Sequence, residues 1–157
     1  MSGNNINVIN DCKTELSKIE TYIKSNSLDS NCPYLISYSV IRACGTIEKV
    51  LKQLFYDHLI KNTNNEAKNY FEKNILESSW NPSCGQIQRI LDIINPDWSV
   101  QFQTLTNASN DKMHLKSLVN LRNDFAHGQT ITASISSIIG YYDGACNILK
   151  ILDSIIV

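Results

Sequence analysis

Apolar residues along this chain recur at three- and four-residue steps, the spacing of one helical face, and nowhere alternate as a half-buried strand requires. Ile6, Ile9, Leu16, Ile19 and Ile23 predict a first amphipathic helix over about 6–25. Ser27 to Cys32 reads as a turn, and Pro33 suits the first position of the next helix because it has no amide hydrogen to leave unpaired. Ile36, Val40, Cys44, Ile47, Leu51, Leu54 and Phe55 predict a long second helix over about 34–60. Gly45 interrupts it at a cost of about 1 kcal/mol against alanine, and close approach by a neighbouring helix would explain its presence.

Asn62 to Asn65 is a polar break, followed by a shorter helix over about 66–78 with Tyr70, Phe71 and Ile75. Asn81-Pro82 marks a turn, and Ser83 is placed to cap a short helix reaching Ile94. Asn95-Pro96 is expected to end that helix, with 97–110 as a loop. Asp111 is the expected cap of a helix over about 112–127, and Gly128 stands where a C-terminal glycine belongs. A last helix over about 132–156 carries Ile135, Ile138, Ile139, Tyr142, Leu149, Leu152 and Ile156, with a kink expected at Gly140 and Gly144. The sum is one all-α domain over 1–157, with four main helices and one or two short ones.

Composition supports a real core. Of 157 residues, 43% are hydrophobic and 18% charged, so only Met1 to Asn5 are expected to lack order. The formal net charge of -1 provides no global basic field, so any contact with RNA must come from a local cluster. Cys12, Cys32, Cys44, Cys84 and Cys146 are odd in number and contain no CxxC pair, which points to reduced thiols in a cytoplasmic protein. No leader segment and no run of about 20 apolar residues is present, so no membrane contact is expected.

The candidate chemistry lies in Leu118-Val119-Asn120-Leu121-Arg122-Asn123-Asp124-Phe125-Ala126-His127-Gly128. At roughly 100° per residue, Leu115, Leu118, Val119, Leu121, Phe125 and Ala126 share one arc, and Arg122 falls in its middle. A guanidinium is rarely buried without a partner. Either this face lines a subunit interface or cleft, or Arg122 pairs with a buried carboxylate such as Glu48. Asn123 and His127, four residues apart, project side by side next to Arg122. A fixed cation, an amide and an imidazole within mutual reach suit phosphodiester cleavage. Histidine exchanges protons at neutral pH, and arginine holds a phosphate bidentately. The plainer alternatives are a structural ion pair for Arg122 and a helix-end role for His127. His58 and His114 lack partners at metal-ligand spacing and read as surface residues. Trp80 and Trp98, in or beside loops, read as packing residues rather than base-stacking ones. Tyr141-Tyr142 presents one ring inward and one outward, and either one is a candidate to reach the cleft.

Arg-Asn-x-x-x-His followed by Gly on an amphipathic helix resembles the signature of the HEPN superfamily, in which four to six residues stand between Arg and His. Asp111-Lys112 ahead of Leu118, and Ile41-Arg42-Ala43-Cys44-Gly45 leading into Glu48, extend the likeness toward stand-alone nucleases of the MAE type. The resemblance implies a helical bundle that forms a two-fold homodimer, its two motifs facing one RNA cleft. It implies metal-independent cutting of single-stranded RNA by the 2′-hydroxyl, without a cofactor, in a toxin or antiviral defence effector held in check by an antitoxin or defence-system partner. Arg122, Asn123 and His127 match the motif. Glu48 matches an acidic residue of the second helix, as apt for structure as for catalysis, and Asp124 falls in the variable part with a minor role. The alternatives are a non-catalytic HEPN module binding RNA, nucleotide or protein, and a helical interaction domain of another family.

Overall fold

A computed structural model describes residues 1–156. Seven α-helices and no strand occur among them: α1 (Gly3–Ser25), α2 (Cys32–Leu59), α3 (Asn65–Phe71), α4 (Cys84–Ile94), α5 (Pro96–Asn107), α6 (Asp111–Ala126) and α7 (Ile135–Ile155). A single π turn, Glu72–Leu76, extends α3. The four long helices are those the periodicity predicts.

Helix starts follow capping chemistry. The Ser2, Asn64, Ser83 and Ser134 side chains accept the amides of Asn5, Ala67, Gln86 and Ser137, meeting donors that have no partner inside the first turn. Ser2 starts α1 earlier than the composition implies, and Asn5, expected to lack order, is buried. Pro33 lies in the first turn of α2, as predicted. Asn110, rather than Asp111, occupies the cap position of α6.

α6 and α7 form an antiparallel pair joined by residues 127–134. His114 packs against Gly144, and Asn147 donates to Asp111 at 3.4 Å, so the start of α6 lies beside the second half of α7. α2 packs on both helices, and α1 lies across α2 and α7. Val40, Ile47, Leu51 and Phe55 of α2 meet Leu115 and Leu118 of α6 and Ile138, Tyr142 and Leu149 of α7 in one core. Each such side chain, removed from water, contributes about 1.5–3 kcal/mol. Tyr142 is fully buried and donates its hydroxyl to the Ile9 carbonyl at 3.0 Å, which ties α7 to α1.

Two expectations, the loop over 97–110 and the close approach at Gly45, are corrected here. Residues 97–110 are mostly helix, not loop. The Asn95 side chain accepts the Asp97 amide at 3.0 Å and Pro96 occupies the first turn, so Asn95-Pro96 starts α5 as well as ending α4. The inward face of α5 is Ser99, Phe102 and Thr106, only one of them apolar, so hydrophobic periodicity does not reveal it. α7 runs unbroken through Gly140 and Gly144. Gly45 is exposed, with no neighbouring atom within 4 Å of where a Cβ would sit. The close approach occurs at Gly144 instead.

His58 and His114 are packed rather than superficial. His58 Nδ1 is buried without a partner among the described residues, and its ring meets Trp98 edge-on at 4.9 Å. Burial, with Lys61 nearby, holds its pKa below the ordinary histidine value. His114 Nδ1 is likewise buried and without a partner among the described residues, its ring tilted against Tyr141. Trp80 packs on Phe55 at 5.9 Å, and Trp98 belongs to α5, so both indoles pack against the core.

Candidate active site

α6 is anchored at its start and emerges at its end. Leu115, Leu118 and Val119 are buried, Leu121 is half-buried, and Phe125 is 42% exposed. The apolar arc read from the sequence therefore runs out of the core. Arg122 stands where it emerges. The residue is half-buried, but its Nε is buried and has no hydrogen-bond partner among the described residues. No carboxylate forms an ion pair with it there. Its neighbour is Cys44 of α2: burial pushes that thiol's pKa up, and the Arg122 guanidinium beside it acts in the opposite direction.

Glu48, one turn beyond Cys44, is not the partner of Arg122. Its carboxylate accepts the Trp80 amide at 3.0 Å and pairs with Lys52 at 2.8 Å. Lys52 also donates to the Ser78 carbonyl. Glu48 thus clamps the 78–80 segment onto α2. Arg42, in the same stretch of α2, is held by Glu15 at 2.7 Å and by Thr46 at 2.8 Å. It has no contact with the motif.

The end of α6 is fixed by its backbone. The His127 amide donates to the Asn123 and Asp124 carbonyls at 3.0 and 3.2 Å, and the Gln129 amide to Asp124 at 2.9 Å. Gly128 has φ 78°, a left-handed conformation that glycine adopts freely and that closes this helix end. The exposed His127 side chain is thereby held one turn from half-buried Asn123. Arg122 and Asn123 lie on the last turn of α6 and His127 at its cap. Asp124 is half-buried beside them and makes no ion pair among the described residues. Tyr142 points into the core, and half-buried Tyr141 faces His114 two turns upstream, so neither ring joins the motif.

Two features of α2 escaped the reading of the sequence. Tyr34, Tyr38 and Ile41 are exposed large residues that continue to exposed Gly45, a stripe at helical spacing beside the buried one. A second period running parallel to the core pattern would have revealed it. Exposed Lys49 borders a cavity of about 300 Å³ with Gly45, Glu48 and Lys52, close to the Cys44 that Arg122 touches. Among the described residues, no three His, Cys, Asp or Glu side chains are grouped to hold a metal ion, and no helix is long and apolar enough to cross a membrane.

A family model described as RiboL-PSP-HEPN matches residues 7–157. HEPN domains carry nuclease or RNA-related functions, bind RNA and often dimerise. The narrower likeness to MAE-type nucleases is not part of that match. Searches of curated proteins and of solved structures return no match. From its seven-helix fold and the extent of the match, the chain belongs to the HEPN superfamily.

Proposed function

We propose that this chain is a metal-independent endoribonuclease acting on single-stranded RNA, a cytoplasmic toxin or antiviral defence effector restrained by an antitoxin or defence-system partner. The observation that carries this reading is Arg122: its Nε is buried with no hydrogen-bond partner and its side chain forms no ion pair among the described residues, on the same helix end as Asn123 and His127. A guanidinium with a buried, unpartnered Nε is well suited to take a phosphate through charge-assisted hydrogen bonds.

The reaction requires little else. His127 accepts the proton of a ribose 2′-hydroxyl as the 2′-oxygen attacks phosphorus. The bond to the 5′-oxygen breaks, and that oxygen takes a proton from an imidazolium. The products are a 2′,3′-cyclic phosphate and a 5′-hydroxyl. Arg122 binds the non-bridging oxygens, where charge accumulates. Asn123 orients the imidazole or the phosphate. Asp124 has at most a minor electrostatic role, and Glu48 supports the site by holding the 78–80 segment. The two imidazole tasks fall to two copies of His127 if the motifs meet across a two-fold axis.

Purified protein incubated with single-stranded RNA in excess EDTA is expected to yield fragments with those ends. Cleavage abolished by EDTA and restored by magnesium or manganese would reject the mechanism. A wild-type chain inert on all single-stranded RNA would favour a non-catalytic HEPN module. Light scattering at micromolar concentration is expected to give twice the chain mass, with the exposed Tyr38–Ile41–Gly45 stripe of α2 as the isologous contact. A monomer would remove the paired-histidine arrangement.

A further inference from the structure

Beside the motif, the turn after α6 and the start of α2 enclose a cavity of about 370 Å³. That is the lower end of the range for small-ligand sites. Phe125 on α6 and Tyr34 on α2 both line it, 42% and 75% exposed. Two exposed aromatic rings converging on one cavity offer the flat apolar faces on which a planar ligand stacks. The polar part of the wall is Ser37, Gln129 and Thr130. Ser37 donates its hydroxyl proton to the Pro33 carbonyl, leaving its oxygen as an acceptor, while Gln129 and Thr130 are exposed and bring both donors and acceptors. No charged side chain lines the cavity. Its occupant is therefore flat, largely uncharged and rich in hydrogen-bonding edges.

Continuity with the motif identifies that occupant. Phe125 and Gly128 flank His127 within three residues of chain, and Gly128 is itself part of the wall. Arg122 lies three positions before Phe125 on α6, about 4.5 Å of helical rise, so the cavity and the phosphate-binding group share one helix end. We propose that Tyr34 and Phe125 form a stacking site for a nucleobase adjoining the scissile phosphate, with Ser37, Gln129 and Thr130 reading its edge. The site rests on the ribonuclease reading and adds to it the feature that sets base preference. It also explains how a chain of net charge -1 retains RNA: stacking replaces the missing basic field.

The test uses single-stranded oligonucleotides carrying 2′-O-methyl ribose throughout, which cannot be cleaved by the 2′-oxygen. Four homopolymers and an abasic strand of equal length are titrated against the protein by fluorescence anisotropy at one salt concentration. Base-bearing strands are expected to bind more tightly than the abasic strand and to differ among themselves. Tyr34→Ala and Phe125→Ala should each weaken the preferred strand by about five- to a hundredfold, the scale of one lost base–aromatic stack. Tyr34→Trp should retain affinity. Equal binding of abasic and base-bearing strands would overturn the site. So would wild-type affinity in both alanine variants with wild-type circular dichroism, or conversion of a dimer to a monomer by either substitution, which would make the cavity a seat for the second copy. The two readings fail separately. A wild-type chain that cuts RNA while the alanine variants bind normally loses the base site and keeps the nuclease. A chain inert on RNA whose base-dependent binding disappears in the variants loses the nuclease and keeps the site.

Discussion

Replacing His127 by alanine is expected to slow RNA cleavage by about a hundred- to ten-thousandfold and to leave the melting temperature near that of the wild type. The first figure is the usual contribution of a positioned general acid or base. The second follows from exposure: His127 is exposed, and α6 is closed by backbone bonds and by Gly128, not by the imidazole. Substitutions at such sites change stability by no more than about 0.5 kcal/mol. Arg122→Ala is expected to cost about a hundred- to a thousandfold in rate, the worth of one preorganised charge contact. Its stability should stay level or rise, because the substitution removes a buried, unpartnered Nε. An ion pair between Arg122 and Glu48 would predict the reverse, a loss of about 3–5 kcal/mol from a stranded carboxylate. Glu48, however, is satisfied by the Trp80 amide and Lys52. Melting curves and cleavage rates measured on the same preparations decide the matter. A large fall in melting temperature for Arg122→Ala with unchanged cleavage would make that arginine structural.

What the sequence discloses and what it conceals divide along a physical line. Local rules revealed the local features: the stripes of α2 and α7, Pro33 in the first turn of α2, the Ser83 cap, and the motif on the last turn of α6 before a glycine with positive φ. α5 was concealed because its inward face uses Ser99 and Thr106, whose polar groups are met locally: Thr106 donates to the Phe102 carbonyl at 2.6 Å, and Ser99 accepts from Gln88 at 3.1 Å. Residues satisfied in this way pack inward without an apolar signature. The partner of Glu48 was concealed for a different reason. It is a backbone amide 32 positions away, and a backbone donor has no side-chain identity to betray it. The arc around Arg122 was legible as incompatible with plain core, since charge amid apolar residues shows in any helical projection. Which neighbour it meets, Cys44, depends on how α2 and α6 cross, and that is a property of the whole bundle.

The same division sets opposite outcomes for two glycines of α7. In sequence Gly140 and Gly144 look equivalent, and alanine at either gains about 1 kcal/mol of helix propensity. At Gly140 an added Cβ meets nothing within 4 Å, so Gly140→Ala is expected to stabilise by about 0.5–1 kcal/mol. At Gly144 it would lie 2.5 Å from His114 Cβ and 2.4 Å from Nδ1. Rotating the imidazole clears the second contact but not the first, because His114 Cβ moves only with its backbone. α6 must therefore withdraw from α7, its principal packing partner. Overpacking of this kind costs about 1–3 kcal/mol, against which the propensity gain is small or, at the lower limit, only cancels it. At about 2–4 °C per kcal/mol for a chain of this length, Gly144→Ala is expected to melt below wild type, by up to about 8 °C, while Gly140→Ala melts above it. His114→Ala does not abolish the contact, since alanine retains Cβ, whereas His114→Gly does. Gly144→Ala combined with His114→Gly should therefore be less destabilised than the two single effects summed, whereas combination with His114→Ala should recover less. The clash is transmitted to function as well. His114 lies on α6 about two turns before Arg122, and a displacement near 1 Å at a catalytic group can cost about a hundredfold in rate. Gly144→Ala is expected to lose cleavage at temperatures where it remains folded, and Gly140→Ala to keep it. Equal melting temperatures for the two variants would show that α6 and α7 do not meet at His114 and Gly144.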